Sequence, residues 1–240
     1  MKKSLVILLV ALVALVLLAS CKNSPDTTKK GYTGKEYTIG QAGPGGGIVF
    51  YDVDADNDSG NKDGLKSDDC GWRYLEAASK NAAGNGSTVT FVFGYYRTDD
   101  GNAVIGTAPE PNNGEKIGKG EENTATILEK LGKGGCKDKE DGTGTGRDFS
   151  AASIINSINE NLTDGFGRMT DWFLPSKEEA VAMFKASETI TSLDLGDSFY
   201  WTSTEASSNT TTTAVAVNKA DGAQNKAKST DCSVRPVRRF

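Results

Sequence analysis

Asp171-Trp172-Phe173-Leu174-Pro175-Ser176-Lys177-Glu178-Glu179 joins two kinds of backbone in one short stretch. Trp172 to Leu174 is an aromatic and aliphatic run of strand type. Pro175 ends it, because proline has no N–H to give to a ladder. Ser176 and Glu179, three apart, make a capping box in which each side chain satisfies the other's backbone N–H at a helix start. Ala180, Val181, Met183 and Phe184 follow as the helix's apolar positions. A strand runs straight into a capped helix.

The same signals recur on both sides, in no regular order. Gly43-Pro44-Gly45-Gly46-Gly47 is a turn leading into the strand run Ile48-Val49-Phe50-Tyr51. Trp72-Arg73-Tyr74-Leu75 and Val89-Thr90-Phe91-Val92-Phe93 are further strand candidates. Phe199-Tyr200-Trp201-Thr202 and Ala214-Val215-Ala216-Val217 form a strand pair joined by the polar stretch 205–213. Val234-Arg235-Pro236-Val237 is an edge-strand candidate, since its proline cannot donate to a ladder. Asn123 is the expected cap of a helix carrying Ile127, Leu128 and Leu131, with Gly132 as its stop. Ser150 caps 151–161, where Ala151, Ile154, Ile155 and Ile158 share one face. No repeat or internal linker interrupts 37–240, which is expected to be one α+β domain.

The N-terminus is an address. Lys2 and Lys3 precede an apolar run from Leu5 to Leu18, and small residues follow. This is the layout of a secretory signal peptide; a transmembrane helix needs about 20 apolar residues. Leu18-Ala19-Ser20-Cys21 resembles the bacterial lipobox, whose Cys is diacylated before the chain is cut in front of it. The resemblance implies a signal peptide over 1–20 and lipidation at Cys21. Two acyl chains, each contributing about 0.8 kcal/mol per buried methylene, suffice for stable anchoring. Residues 21–36 are polar, with Pro, Gly and Thr, and are expected to be a flexible tether. The expected location is therefore extracytoplasmic: a lipid-anchored place in the bacterial cell envelope, on the outer membrane or cell surface.

Composition narrows the chemistry. The chain has 240 residues, 28 Gly, 4 Cys and no His. Without histidine there is no Ser-His-Asp or Cys-His relay and no imidazole metal ligand. Cleavage removes Lys2 and Lys3 and no acid, leaving 25 basic against 32 acidic residues and moving the net charge from −5 to −7. That acidity argues against nucleic acid as a partner. With Cys21 acylated, Cys70, Cys136 and Cys232 remain as disulfide candidates; an oxidising compartment favours one bridge, the spacing leaves all three pairings open, and three reduced thiols, as in an anaerobe, are the alternative.

The 171–179 stretch resembles the W-R-L-P-[ST]-x-x-E-[LA] segment of the bacterial Lcl C-terminal domain family. Tyr200-Trp201-Thr202-Ser203-Thr204-Glu205 resembles its Y-W-[ST]-S-[ST]-E strand, and Val234-Arg235-Pro236-Val237-Arg238 its V-R-P-V-R ending. The segments 43–52 and 71–78 are similar to the opening of lipoprotein members, and 117–124 to a middle segment of them. The resemblance implies a C-type-lectin-like fold related to the formylglycine-generating enzymes: a small twisted antiparallel sheet, two or three helices and long loops. It further implies an extracellular place and, as in some members, adhesion or glycan binding; the expected function is a non-enzymatic module that binds a glycan or a host or envelope protein. Phe173 stands where the family has Arg, and the paired catalytic cysteines of the formylglycine enzymes have no match here. A formylglycine-type or glycan-processing enzyme and a purely structural envelope lipoprotein are the alternatives. Trp172, Leu174, Pro175, Trp201, Arg235, Pro236 and Arg238 read as scaffold, with Arg235 and Arg238 expected to pair with Glu178, Glu179 or Glu205.

One segment carries metal chemistry on its face. Asp52, Asp54, Asp56, Asp58 and Asp63 fall at positions 1, 3, 5, 7 and 12 of an acidic loop, a set that a calcium ion could draw together. The loop lacks the bidentate Glu and the flanking helices of an EF-hand, so a solvated acidic hairpin tip is the favoured alternative. Glu110-Pro111-Asn112 echoes a lectin tripeptide without its companion Trp-Asn-Asp. The glycine clusters 101–106 and 142–146 lack the Lys-Ser/Thr of a phosphate loop. Tyr95, Tyr96 and Trp201 are a candidate sugar-stacking set, with core packing favoured.

Overall fold

The computed structural model describes residues 34–55, 64–84, 89–94, 114–131, 150–163, 165–208 and 212–240. They belong to one compact unit, Gly31–Phe240. The signal run, Cys21, Asp56, Asp58, Asp63, Tyr95, Tyr96, Glu110–Asn112, Cys136 and both glycine clusters lie outside the described residues. Among the described residues no helix is long and apolar enough to cross a membrane.

The chain order is β1 (Ile48–Asp52), α1 (Ser67–Cys70), β2 (Tyr74–Ala77), α2 (Gly120–Leu131), α3 (Ala151–Asn161) and α4 (Lys177–Ser187). A 3-10 turn (Thr191–Leu193) follows, then β3 (Tyr200–Glu205), β4 (Thr213–Asn218), β5 (Gly222–Ala227) and β6 (Val237–Arg239). The fold is mixed α and β, as expected, but with two small antiparallel sheets in place of one. Their strand orders are β1-β2-β6 and β3-β4-β5. The expected strand at 172–174 is instead an extended segment with a single bridge, Phe173 to Val237 of β6, and a second bridge joins Tyr200 of β3 to Ser233.

Those motif segments bury both faces. Trp172 and Leu174 enter one apolar cluster with Phe93, Ile155, Ile158 and Trp201. Phe173 enters another with Phe50, Leu75, Met183, Phe184, Tyr200 and Val237. Neighbouring side chains point to opposite sides of an extended chain, so an unbroken apolar run is what a doubly covered strand requires. Phe173 is thus a core residue, 2% exposed.

Helix starts follow the capping signals with one correction. Ser176 and Glu179 form the expected box at α4. Ser150 caps α3, and Ser153 supplies the reciprocal bond. Asn123 is not a cap: α2 begins earlier, at Gly120, and the Asn123 side chain points inward to the Gly114 carbonyl and Ser203. The buried amide needed internal partners, and the helix turn before it supplies its backbone bond to Lys119.

Strand limits shift as well. Trp72 and Arg73 precede β2, and the 89–93 run contributes bridges at Phe91 and Val92 rather than a ladder. The C-terminal strand lies at a sheet edge, as its proline implied, but starts after Pro236. β5 was not expected at all. Its polar GAQNKA carries no apolar alternation, and it is held by β4 through a regular antiparallel register.

Candidate functional site

The chemistry-bearing side chains fall into separate clusters. The most connected joins three distant segments. Arg238 on β6 donates from Nε and Nη2 to both carboxylate oxygens of Asp171, at 2.8 and 2.9 Å. Its Nη1 donates to Glu76 Oε1 on β2, at 2.9 Å. The same oxygen accepts the Gly45 N–H at 2.7 Å. Glu76 is wholly buried, and its Oε2 has no hydrogen-bond partner among the described residues. The glycines of the 43–47 turn make this possible, because a Cβ on Gly43 or Gly45 would collide with the Glu76 carboxylate. Burial pushes the Glu76 carboxyl above its ordinary range despite the guanidinium. For Arg238 burial works the other way, and the two carboxylates outweigh it and hold the guanidinium up.

Arg235 does different work. Its guanidinium donates to the carbonyls of Ala78, Leu193 and Asp194 and to Asn81 Oδ1. Neither arginine meets Glu178, Glu179 or Glu205, which corrects the expected pairing. The family-like strand ending presents alternate side chains to different loops, and those loops supply Asp171, Glu76 and carbonyls instead.

Glu205 pairs with Lys228, and both side chains are fully buried. The Lys228 ammonium also lies 5.3 Å from the Phe93 ring centre. Burial lowers the Lys228 ammonium below its usual value against the pull of Glu205. Phe93 stacks edge-on against Trp201, whose Nε1 donates to the Phe91 carbonyl at 2.7 Å. Trp201 is therefore core and not a sugar platform, with 0% exposure.

Glu179 is wholly buried at the meeting of two helix starts. Its Oε2 accepts the Ser176 N–H at 2.7 Å and its Oε1 the Gly118 N–H at 2.8 Å. Burial outweighs these donors and pushes its carboxyl up to about 7.

The described part of the acidic loop is already occupied. Asp52 takes two bonds from Arg73, at 3.0 and 3.1 Å. Asp54 accepts from the Ser67 N–H and Oγ–H, at 2.9 and 2.6 Å. Burial alone would raise the Asp54 carboxyl, but the Ser67 bonds and the Arg73 charge hold it below its ordinary value. As arranged, these two carboxylates face an arginine and a serine; the other three of the loop lie outside the described residues. Among the described residues no acidic or thiol group is arranged to hold a metal.

Cys70 and Cys232 are free thiols, so the pairing between them does not form. They belong to different apolar clusters, Cys232 inside the first and Cys70 against the second. Burial pushes the Cys232 thiol up to about 12, and Cys70 is raised as well, so neither is an activated nucleophile.

The sequence alone assigns no role to Glu76, Asp171, Lys228 or Asn81. For Glu76 a signal existed: a carboxylate inside the apolar run Tyr74-Leu75-Glu76-Ala77 has to find a cation. Compared with known proteins, the sequence matches no family profile and no curated protein.

Proposed function

We propose that this chain is a lipid-anchored extracytoplasmic module of C-type-lectin-like fold that binds a glycan or a protein partner at the bacterial cell envelope without chemically changing it. One observation carries this reading. The ionisable side chains embedded in the fold are spent on holding it together. Glu76 and Arg238 join β2 to β6, Glu179 joins two helix starts, and Lys228 neutralises Glu205. A framework braced in this way suits a module that presents loops for recognition. The stretches 95–113 and 132–149 are long, polar and glycine-rich in sequence, the composition of recognition loops. The lipobox-like Leu18–Cys21 supports anchoring.

The test is an array of glycans and host-matrix proteins probed with the full chain in detergent, with calcium and with chelator. Retention on a defined glycan or protein class is the expected result. No retention in either condition overturns the proposal, and retention lost with chelator restores the acidic loop as a calcium site. For the anchor, Cys21→Ser is expected to release the chain from membranes; continued partitioning into the detergent phase contradicts it.

A further inference from the structure

β5 is the outer strand of its sheet: β4 runs along one side, and no described strand runs along the other. One bond fixes which of its backbone groups face which way. The Lys228 N–H donates to the Thr212 carbonyl at 2.9 Å, in line with the β4–β5 register that pairs Ala227 with Thr213 and Lys226 with Ala214. Opposite residues of an antiparallel pair alternate between exchanging hydrogen bonds and turning them outward. Counting back by twos from Lys228, the residues Lys226, Gln224 and Gly222 bond to β4. Ala227, Asn225 and Ala223 therefore turn their N–H and carbonyl groups away from it. The Ala227 carbonyl is taken by the Thr230 N–H at 2.8 Å, and the others meet no backbone partner among the described residues. Asn225 and Ala227 are exposed.

Sheet edges are ordinarily blunted by shortness, proline, a bulge or an outward charge. β5 has none of these. It is as long as β3 and β4, holds no proline, and keeps an unbroken register with β4. Its charge, the Lys226 ammonium, is folded onto the Phe199 ring, 3.7 Å from the ring centre. We propose that β5 pairs antiparallel with β5 of a second copy of this chain, across a two-fold axis at Asn225, so that the two sheets become one. The strand's own sequence favours a second copy over a foreign peptide. A two-fold axis of this kind sets residues of one sheet face opposite one another. With the axis at Asn225, Asn225 meets its counterpart, Ala223 meets Ala227 and Gln224 meets Lys226. Small residues then face small residues, amide faces amide, and no like charges are opposed. Each Asn225 N–H reaches the other Asn225 carbonyl, and each Ala227 N–H the other Ala223 carbonyl. The occupied Ala227 carbonyl is not required. Moving the axis to Gln224 sets Ala227 beyond the end of the other strand and loses its bond.

The test is sedimentation of the full chain in detergent over a concentration series, together with cysteine cross-linking. The wild-type chain should show a monomer–dimer equilibrium. Asn225→Pro removes an N–H that faces away from β4, so the ladder inside the chain is kept; the dimer should be lost with the melting temperature unchanged. Asn225→Cys sets two thiols across the axis with Cα atoms about 5.5 Å apart, within reach of a disulfide. Gln224→Cys holds its pair too far apart for one. Oxidation should therefore give a reducible dimer from Asn225→Cys, above the background set by the wild-type thiols, and none from Gln224→Cys. A chain that stays monomeric at every concentration overturns the proposal. So does a dimer that survives Asn225→Pro, or equal cross-linking from the two cysteine variants. If Asn225→Pro does not fold, the paired cysteine variants decide.

Discussion

At Arg238 one guanidinium serves two carboxylates, and the geometry leaves no room for a lysine. Asp171 takes a two-pronged bond, and a third donor reaches Glu76 on another strand. A lysine ammonium cannot span both sites with a planar fork. Arg238→Lys is therefore expected to strand the buried Glu76 and cost roughly 3–5 kcal/mol, the range for breaking a buried pair. Chemical denaturation checks this, and a loss below about 1 kcal/mol would contradict the buried-pair argument. Gly43→Ala attacks the same group from the other side by pushing a methyl into the Glu76 carboxylate. Overpacking of this kind costs about 1–3 kcal/mol. The two substitutions share a partner, so their combined effect should fall short of the sum. That Glu76 needs a cation and Arg238 a carboxylate is legible in the sequence; that they meet each other is not, because they lie 162 positions apart and only the folded chain brings them together.

Elements were legible where the signal is local. The Ser176 box could be read because its partner lies one helical turn away, and the structure places both bonds as expected. Asn123 misled for the same reason: asparagine favours caps, but here its amide is consumed by Gly114 and Ser203, 9 and 80 positions away. β5 escaped notice because an edge strand takes its order from its neighbour's backbone, not from its own side chains. For the caps the prediction is graded. Ser150→Ala removes a side chain bonded within its own helix start and should cost about 0.5–2 kcal/mol. Ser176→Ala should cost more, since its hydroxyl also donates to the Lys116 carbonyl at 2.8 Å. Equal losses in thermal melts would mean that the Lys116 bond adds nothing.

Across the whole molecule, the two apolar clusters are not independent cores. They share strands: Trp172 and Leu174 face one cluster while Phe173 faces the other, and Trp201 and Tyr200 divide in the same way. Pulling either cluster apart must unseat a strand that the other needs. Unfolding is therefore expected to be a single cooperative transition. The free thiols offer a reporter for each side, because Cys232 is buried in the first cluster and Cys70 packs against the second. Pulse labelling over a denaturant series, resolved by peptide mass analysis, should give one midpoint for both thiols, matching the loss of tryptophan signal. Labelling of Cys70 well before Cys232 would mean that the second cluster opens alone and that the shared strands do not couple the two. Trp201→Ala sharpens the comparison. It leaves a large cavity in the first cluster at a cost of about 3–5 kcal/mol. If the strands transmit the loss, the Cys70 midpoint should fall as far as that of Cys232, although Trp201 lies in the other cluster.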